Sequence, residues 1–486
     1  MEVILNSCSL EQELTEKVNE LQAQQQMREQ QLVETTLCHI ADGVKSHETE
    51  ILNLMADSHG KSQNAVREVV VREVKQAAKG LLWCREYVEK LRSDQQMMVY
   101  TGTHWDRVEP QQWKDFVGAC AERCGVPESQ CMNQSFMKVL YEGVAFNFAK
   151  YRRQQVPDNE VWLNMRNGTL KIRADGSITL CGHRKEDLFT YTLPYCYDAK
   201  ATYEQWKNFL NRVLPEEESQ TGLAEFSGYC LMPRHTLEKM LWLYGDGQNG
   251  KSVTLEILEA LLGSVNVSYL SLSDLTNDEV KRAGIEGKML NISHESGKEV
   301  NANVLKQLTS GERVLIKYLY RDPYETRNYG KFIAAFNELP RAEITFGYFR
   351  RLIILPYLVT ITEKEKDDQL TDKLKQELSG ILNWVLAALP GLMTRRSFTE
   401  SEACKKALDQ YRVLSDNVRL FLNEMCEASD SESPVSEIFK SYRNYCLDSS
   451  LRPLGRNKFI QRLQGLTGAP VVYANKKYFK LRVNEP

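Results

Sequence analysis

Residues 245–252 read GDGQNGKS and satisfy the pattern G-x-x-x-x-G-K-[ST], and no other stretch constrains the chain as strongly. The apolar run 240–244 before it predicts a strand, and 253–262 after it predicts a helix. A strand, this loop and a helix bring successive backbone N–H groups and the positive end of the helix to one place, which is how a triphosphate is cradled. Gly245, Gly247 and Gly250 let the backbone wrap without a Cβ clash, and Asp246, Gln248 and Asn249 complete the loop. Lys251 is placed to reach the β- and γ-phosphates and Ser252 to hold Mg²⁺, so ATP with Mg²⁺ is the expected cofactor pair.

A chain of 486 residues exceeds one ordinary core, so several domains are expected. Hydrophobic content of 42% and charged content of 26% describe a globular protein. The net charge is only −3, so affinity for nucleic acid has to come from local basic patches. No apolar run approaches a membrane span, and MEVILNSCSLEQEL lacks the basic and apolar regions of a signal peptide. Twelve cysteines follow no repeating framework, and Cys120, Cys124 and Cys131 have no histidine at ligand spacing. They read as reduced thiols, and the expected compartment is cytoplasmic.

Five segments are expected. Residues 1–95 are a helical N-terminal region, almost continuously helical over 9–92, with Leu14, Val18 and Leu21 as a short seam; an assembly arm and a solvated leader are equally compatible with it. Residues 96–200 are a small α+β domain with helices over 111–124 and 134–152 and a hairpin over 164–173 turning at Asn-Gly. Residues 201–362 hold the phosphate loop, after a helical stretch over 201–235 broken by Pro215. Residues 363–430 are a helical lid or linker, ending at the acidic, Ser-rich 427–434. Residues 431–486 form the last domain.

Three further signals follow the loop. The strand 289–293 leads to His294 and Glu295, and a carboxylate at a strand end suits Mg²⁺ contact or polarising an attacking water. The strand 331–336 leads to Asn337, whose amide can bond both a γ-phosphate and a water. Arg350 and Arg351 precede the apolar strand that follows, and a guanidinium there can act as an arginine finger on a neighbouring subunit's nucleotide; the sequence does not choose between the two. Between acid and amide, Lys317, Tyr318, Tyr320 and Arg321 interleave cations with rings, which suits either a hairpin gripping a single strand or a structural hairpin.

The order YGDGQNGKS, LNISHE, LTSGE with YRDPYE, FIAAFNELP and FRRLIILPY resembles the superfamily 3 helicases. It is most similar to the helicase half of phage and plasmid primase-helicases and their poxvirus relatives, and WLNMRNGTL, DLFTYTLPYCYD and LAEFSGYCL resemble the domain before the motor in that group. The resemblance covers roughly residues 95–486. It implies a hexameric AAA+ ring that hydrolyses ATP between subunits and moves 3′-to-5′ on single-stranded and forked DNA. By position it implies Lys251 and Ser252 as phosphate and Mg²⁺ ligands, Glu295 as the motif-B acid, Asn337 as the polar sensor, Arg350 or Arg351 as the finger, and Lys317 in the DNA-contacting loop. Many relatives pair two acids where this chain has His294 and Glu295. No Asp-x-Asp pair or zinc knuckle of a primase is found in the N-terminal stretch, so a separate primase or replication protein is an expected partner of the N-terminal helices.

The tail has helical spacing over 434–446, with Ser433 as N-cap and Pro434 as first helical residue, then a helix over 456–463 and a hairpin over 471–483. From Arg452 to Val483 there are eight Lys/Arg and no acid. This predicts a winged helix in which Arg456, Lys458 and Arg462 face a DNA groove while Lys476 and Lys477 meet phosphate. The fold class expected for the whole is multidomain α/β with an AAA+ phosphate-loop core. An ATP-dependent helicase serving replication of a phage, satellite or plasmid is the leading function. An origin-binding initiator ATPase and a nucleotide-gated assembly protein are the alternatives.

Overall fold

The computed structural model describes residues 27–28, 30–56, 62–89, 92–150, 154–294, 300–319, 321–340, 346–449, 451, 453–473 and 476–483. They fall into two compact units: Met1–Thr202 with Ala260–Asn266 and Glu377–Met393, and Tyr203–Glu259 with Val267–Gln376 and Thr394–Pro486.

In the first unit α1 (30–42), α2 (Glu48–Ala56) and α3 (Ser62–Ala78) precede a sheet. The nearly continuous helix expected over 9–92 is therefore corrected: the helices end at Ala78, while residues 9–26, including the Leu14–Val18–Leu21 seam, lie outside the described residues. Lys79 and Gly80 take φ of 47° and 78°, a left-handed step that a helix cannot continue. The chain returns as β1 (Leu82–Glu89), β2 (Arg92–Tyr100) and β3 (Trp105–Arg107). After α4 (Pro110–Cys124), α5 (Glu128–Cys131) and α6 (Gln134–Phe148), β4 (Ala149–Lys150) completes a sheet of order β3-β2-β1-β4.

Val66, Val69, Val70, Val74 and Ala78 recur at helical spacing on α3 and are buried in one core with Phe116, Val117 and Cys120 of α4 and Phe136, Leu140 and Val144 of α6. That core runs from Val33 to Phe148, so the boundary expected at 95/96 falls inside β2 and separates nothing. Burial pushes the thiols of Cys120 and Cys124 up to about 12, and the described cysteines are all free. Next, β5 (Glu160–Met165), β6 (Gly168–Arg173) and β7 (Ile178–Cys181) form an antiparallel sheet. Met165 pairs with Gly168, so the hairpin turns at Arg166-Asn167, one residue before the expected Asn-Gly.

The second unit opens with α7 (Glu204–Val213) and α8 (Glu217–Leu231), separated at Pro215 as the sequence predicts. Then come β8 (Met240–Tyr244), α9 (Lys251–Leu262), β9 (Val267–Ser268), α10 (Leu272–Asn277), α11 (Glu279–Arg282), β10 (Leu290–His294) and α12 (Ala302–Thr309). A hairpin of β11 (Val314–Ile316) and β12 (Tyr324–Thr326) precedes β13 (Lys331–Phe336), α13 (Phe346–Phe349) and β14 (Leu352–Pro356). The central sheet has order β14-β8-β13-β10-β9 and is parallel throughout. Its inner strands are buried almost continuously, as helices on both faces require.

Helices α14 (Leu370–Gln376), α15 (Leu378–Arg395), α16 (Glu402–Leu414) and α17 (Asn417–Met425) follow, and among the described residues no helix is long and apolar enough to cross a membrane. The acidic, Ser-rich stretch expected as a boundary is instead β15 (Cys426–Pro434). It pairs antiparallel with β17 (Lys476–Val483), which pairs in turn with β16 (Val471–Tyr473). Helices α18 (Val435–Asp448) and α19 (Arg456–Thr467) pack on this sheet in a core that begins at Val418. Pro434, not Ser433, is the N-cap of α18, because the Ser433 hydroxyl is spent on the Leu481 carbonyl at 2.5 Å.

Gly125 ends α4 at φ 94°, and a Cβ there would lie 2.6 Å from Cα of Glu48, at the start of α2. Gly125→Ala is therefore expected to destabilise the first unit by about 1–3 kcal/mol, read as a lowered thermal unfolding midpoint, whereas Gly118→Ala, inside α4 with nothing within 4 Å of its Cβ, should hold or slightly raise it.

Candidate functional site

Strands β8, β10 and β13 run parallel and in register, with Tyr244 opposite Phe336 and His294 opposite Ala335. Gly245 and Asn337 thus leave the same edge of the sheet on adjacent strands, which is where open α/β sheets bind ligands. The loop 245–250 then enters α9 at Lys251. The Lys251 ammonium is buried and donates to the Gly245 carbonyl (2.5 Å), Asn249 Oδ1 (3.1 Å) and Asn337 Oδ1 (3.3 Å). Loop, lysine and amide, 86 residues apart in sequence, meet in one place.

The loop is braced from outside. A Cβ on Gly245 would lie 2.2 Å from the Tyr357 carbonyl, and one on Gly250 would lie 2.9 Å from Phe209 and Val213 of α7, so neither position accepts a side chain. The Asn249 amide donates to the Tyr357 carbonyl (3.0 Å), and the Ile361 N–H donates to the Gln248 carbonyl (2.7 Å). Thr254 of α9 and the buried Tyr357 share a hydroxyl–hydroxyl bond of 3.0 Å, and burial raises the Tyr357 phenol above its usual range. Arg212 of α7 grips Glu365 through two bonds (2.9 and 3.1 Å) and reaches the Thr360 carbonyl (3.1 Å). Those bonds, with donations from Thr362, hold the Glu365 carboxyl down at about 2. Sequence reasoning missed this strap, because Arg212 and Glu365 are 153 residues apart and neither lies in a motif.

Asp246, Gln248 and Ser252 are exposed and Asn249 is buried. His294 is exposed at the end of β10, while Glu295 lies outside the described residues. Arg350 and Arg351 sit at the opposite edge: the Met240 N–H, at the start of β8, donates to the Arg351 carbonyl at 2.9 Å. Arg351 is largely buried and donates to Ser310 Oγ (2.7 and 3.1 Å) and the Gly347 carbonyl, whereas Arg350 is half exposed and pairs with Glu238 at 2.8 Å. Burial, then the neighbouring Arg350 charge, pulls the Arg351 guanidinium below its usual value.

In the β11–β12 hairpin the Lys317 N–H donates to the Glu279 carbonyl (2.9 Å), and the Arg282 guanidinium ties Leu315 to the end of α10. Tyr318 stacks on Tyr324 (6.4 Å between centroids, 24° between planes), and both hydroxyls donate to Glu286 (3.0 and 2.5 Å). Arg321 is exposed, Leu319 projects at the tip with 69% exposure, and Tyr320 lies outside the described residues.

On α19, Arg456 and Lys458 are exposed, and on β17 Lys477 is exposed; the side chain of Lys476 lies outside the described residues. The expectation that Arg462 faces a groove beside them is corrected. Arg462 turns inward and donates to Oδ2 of the fully buried Asp416 through Nε (2.8 Å) and Nη2 (2.5 Å), while Oδ1 of the same carboxylate accepts from the N–H groups that open α17. A buried carboxylate needs this charge more than a solvent-facing groove does. Among the described residues no three His, Cys, Asp or Glu side chains gather as metal ligands.

A family model described as "D5 N terminal like" matches residues 80–215, and one described as a family of unknown function, DUF5906, matches 243–351. The mimivirus protein named "Putative helicase L207/L206" (Acanthamoeba polyphaga mimivirus) is 23% identical over 242 residues, 46% of this chain and 24% of that protein. "Putative helicase 121R" of Invertebrate iridescent virus 3 is 21% identical over 355 residues, 63% of this chain and 37% of that protein. These matches liken the chain to phage and viral primase-helicases. It spans about a quarter and just over a third of the length of these two relatives. The D5-like match opens at Gly80, where α3 gives way to β1, and the second match runs from β8 through Arg351. Among solved structures, one of the apo NrS-1 C-terminal region is similar at 12% identity and TM-score 0.47, covering 84% of this chain and 98% of that one. Another, of residues 305–718 of the same protein, has TM-score 0.36 over 66% of this chain and 96% of that one.

Arg462→Ala is expected to destabilise the C-terminal helices and sheet by about 1–3 kcal/mol by stripping a buried carboxylate of its charged partner, measured by chemical denaturation, whereas Arg456→Ala should leave stability within about 0.5 kcal/mol of wild type.

Proposed function

We propose that this chain is an ATP-driven DNA helicase motor of the superfamily 3 type, with an AAA+ core and a C-terminal winged helix, working as a hexameric ring that moves 3′-to-5′ in replication of a phage, satellite or plasmid. The observation that carries this is the meeting of Lys251, the 245–250 loop and Asn337 at the carboxyl edge of a five-stranded parallel sheet. In the core, Lys251 holds the β- and γ-phosphates, the loop N–H groups and the start of α9 take their remaining charge, and Asn337 orients the attacking water. Glu295 polarises that water. Ser252 and Glu295 are the residues that would hold Mg²⁺, and the ion would supply countercharge for the phosphates. The cradle fits such a group: Gly245 and Gly250 let the loop press against Tyr357 and α7, leaving its inner side to the phosphates, and Ser252 stands exposed at the start of α9.

The arginine pair supports catalysis between subunits. Arg350 lies at the far end of β8 from the loop, and five strand residues span about 13 Å. That is beyond the reach of a guanidinium to its own subunit's γ-phosphate. A contact with nucleotide is therefore a contact with a neighbour's, and the exposed Arg350 is the candidate, because Arg351 is committed to Ser310 and Gly347. The β11–β12 tip, with Lys317, Tyr318 and Arg321, serves as the strand-gripping loop. Arg456, Lys458, Lys476 and Lys477 form the basic face toward duplex DNA. A separate primase or replication protein is the partner proposed for the N-terminal helices.

The test is ATP hydrolysis with and without single-stranded DNA. Wild type should turn over faster with the strand, Lys251→Ala should lose about 10²-fold or more, and Glu295→Gln about 10²–10⁴-fold. Strand-independent turnover would contradict a strand-coupled motor; no turnover in wild type, with ATP still bound, would contradict it as well and favour a nucleotide-gated assembly.

A further inference from the structure

At the edge of the sheet opposite the phosphate loop, one acid, Glu238, distinguishes the two arginines. Arg351 is largely buried, at 12% side-chain exposure, and its guanidinium is spread over Ser310 Oγ and the Gly347 carbonyl. It is a strut between α12, α13 and β14. Arg350 is half exposed, and its guanidinium meets Glu238 through Nη2 alone, at 2.8 Å. The same carboxylate oxygen lies 3.4 Å from Arg351 Nη2, so one acid bridges two adjacent cations that would otherwise repel each other.

The backbone places this acid at some cost. Glu238 has φ 49°, the left-handed conformation that a side chain with a Cβ rarely adopts, in a turn closed by its N–H on the His235 carbonyl (3.3 Å). A glycine or asparagine would fit the backbone better, so what Glu238 adds at this position is its charge.

We propose that Glu238 is the intramolecular counter-ion of Arg350, holding the guanidinium in a lone subunit and giving it up to the triphosphate of a neighbouring subunit as the ring closes. This rests on Arg350 acting in trans, as set out above. An exchangeable partner has to be weak. A one-pronged pair with side chains 50% and 42% exposed qualifies, because water and salt screen it to about two- to fivefold in an equilibrium. A triphosphate, with several negative charges at a protein–protein interface, outcompetes it. The bonds to Ser310 and Gly347 keep Arg351 in place during the exchange, so one cation moves and the other does not.

The experiment follows ATP turnover against protein concentration, at saturating Mg²⁺-ATP, for the wild type, Glu238→Gln, Glu238→Asp and Arg350→Ala, with sedimentation reporting assembly. Glu238→Gly serves as a second carboxylate-free variant that relieves the backbone strain. Glu238→Gln and Glu238→Gly should reach half-maximal turnover and assembly at about two- to fivefold lower protein concentration, with plateau rate within about twofold of wild type and KM for ATP unchanged. Glu238→Asp should stay near wild type. An unchanged or raised midpoint in both carboxylate-free variants, or a plateau as low as that of Arg350→Ala, overturns the exchange while leaving Arg350 as the trans contact. A wild type without turnover, or Arg350→Ala with a wild-type plateau, overturns the trans contact itself and the exchange with it.

Discussion

The candidate phosphate site is organised around the buried Lys251 ammonium. The Lys251 ammonium sits among the Gly245 carbonyl and the Asn249 and Asn337 amide oxygens, and a cation taken out of water is tolerable only when oxygens are fixed around it. Fixing them takes the rest of the architecture. Gly245 is pressed against the Tyr357 carbonyl, Gly250 against α7, and Asn249 bonds both the lysine and Tyr357. Asn337 arrives on the neighbouring parallel strand, in register. In the proposed nucleotide site an arriving phosphate would replace these carbonyl and amide oxygens, so the lysine is held where it is needed without being bound beyond exchange.

The strand β14 links the two ends of this chemistry. Its exit, through Tyr357, braces the phosphate loop, and its entry carries Arg350 and Arg351. A strand has no freedom to lengthen, so a displacement at the arginine end is felt at the loop through one rigid element. In the proposed ring, where each subunit acts on its neighbour's nucleotide, this connection would tie the state of one site to the position of the next.

Much of this was legible in the sequence, for identifiable reasons. Strand β8, the loop, α9 and β13 follow from short apolar runs next to a motif whose glycines have steric meaning, and these elements carry the candidate phosphate site. The N-terminal helices were over-extended, because a Pro-free stretch rich in Gln and Glu reads as helix until tertiary pairing claims it; only Gly80 marked the turn into β1. The acidic stretch at 427–434 reads as a linker, yet it pairs as β15 because β17 offers a partner and its apolar neighbours close a core. Arg462 was misjudged because its partner, Asp416, lies 46 residues away and outside the basic segment. The Arg212–Glu365 strap and the role of Glu238 have no local signature, since each depends on side chains brought together only by the sheet.

The most direct measurement is calorimetric titration of Mg²⁺-ATP into the wild type and Lys251→Ala. If Lys251 is a phosphate ligand held in reserve by the loop, wild type binds one nucleotide per chain and Lys251→Ala loses at least about tenfold in affinity, the 1.4 kcal/mol of one charge-assisted contact. Equal affinities in the two proteins, or no binding by the wild type, would contradict the assignment of this loop as the nucleotide site.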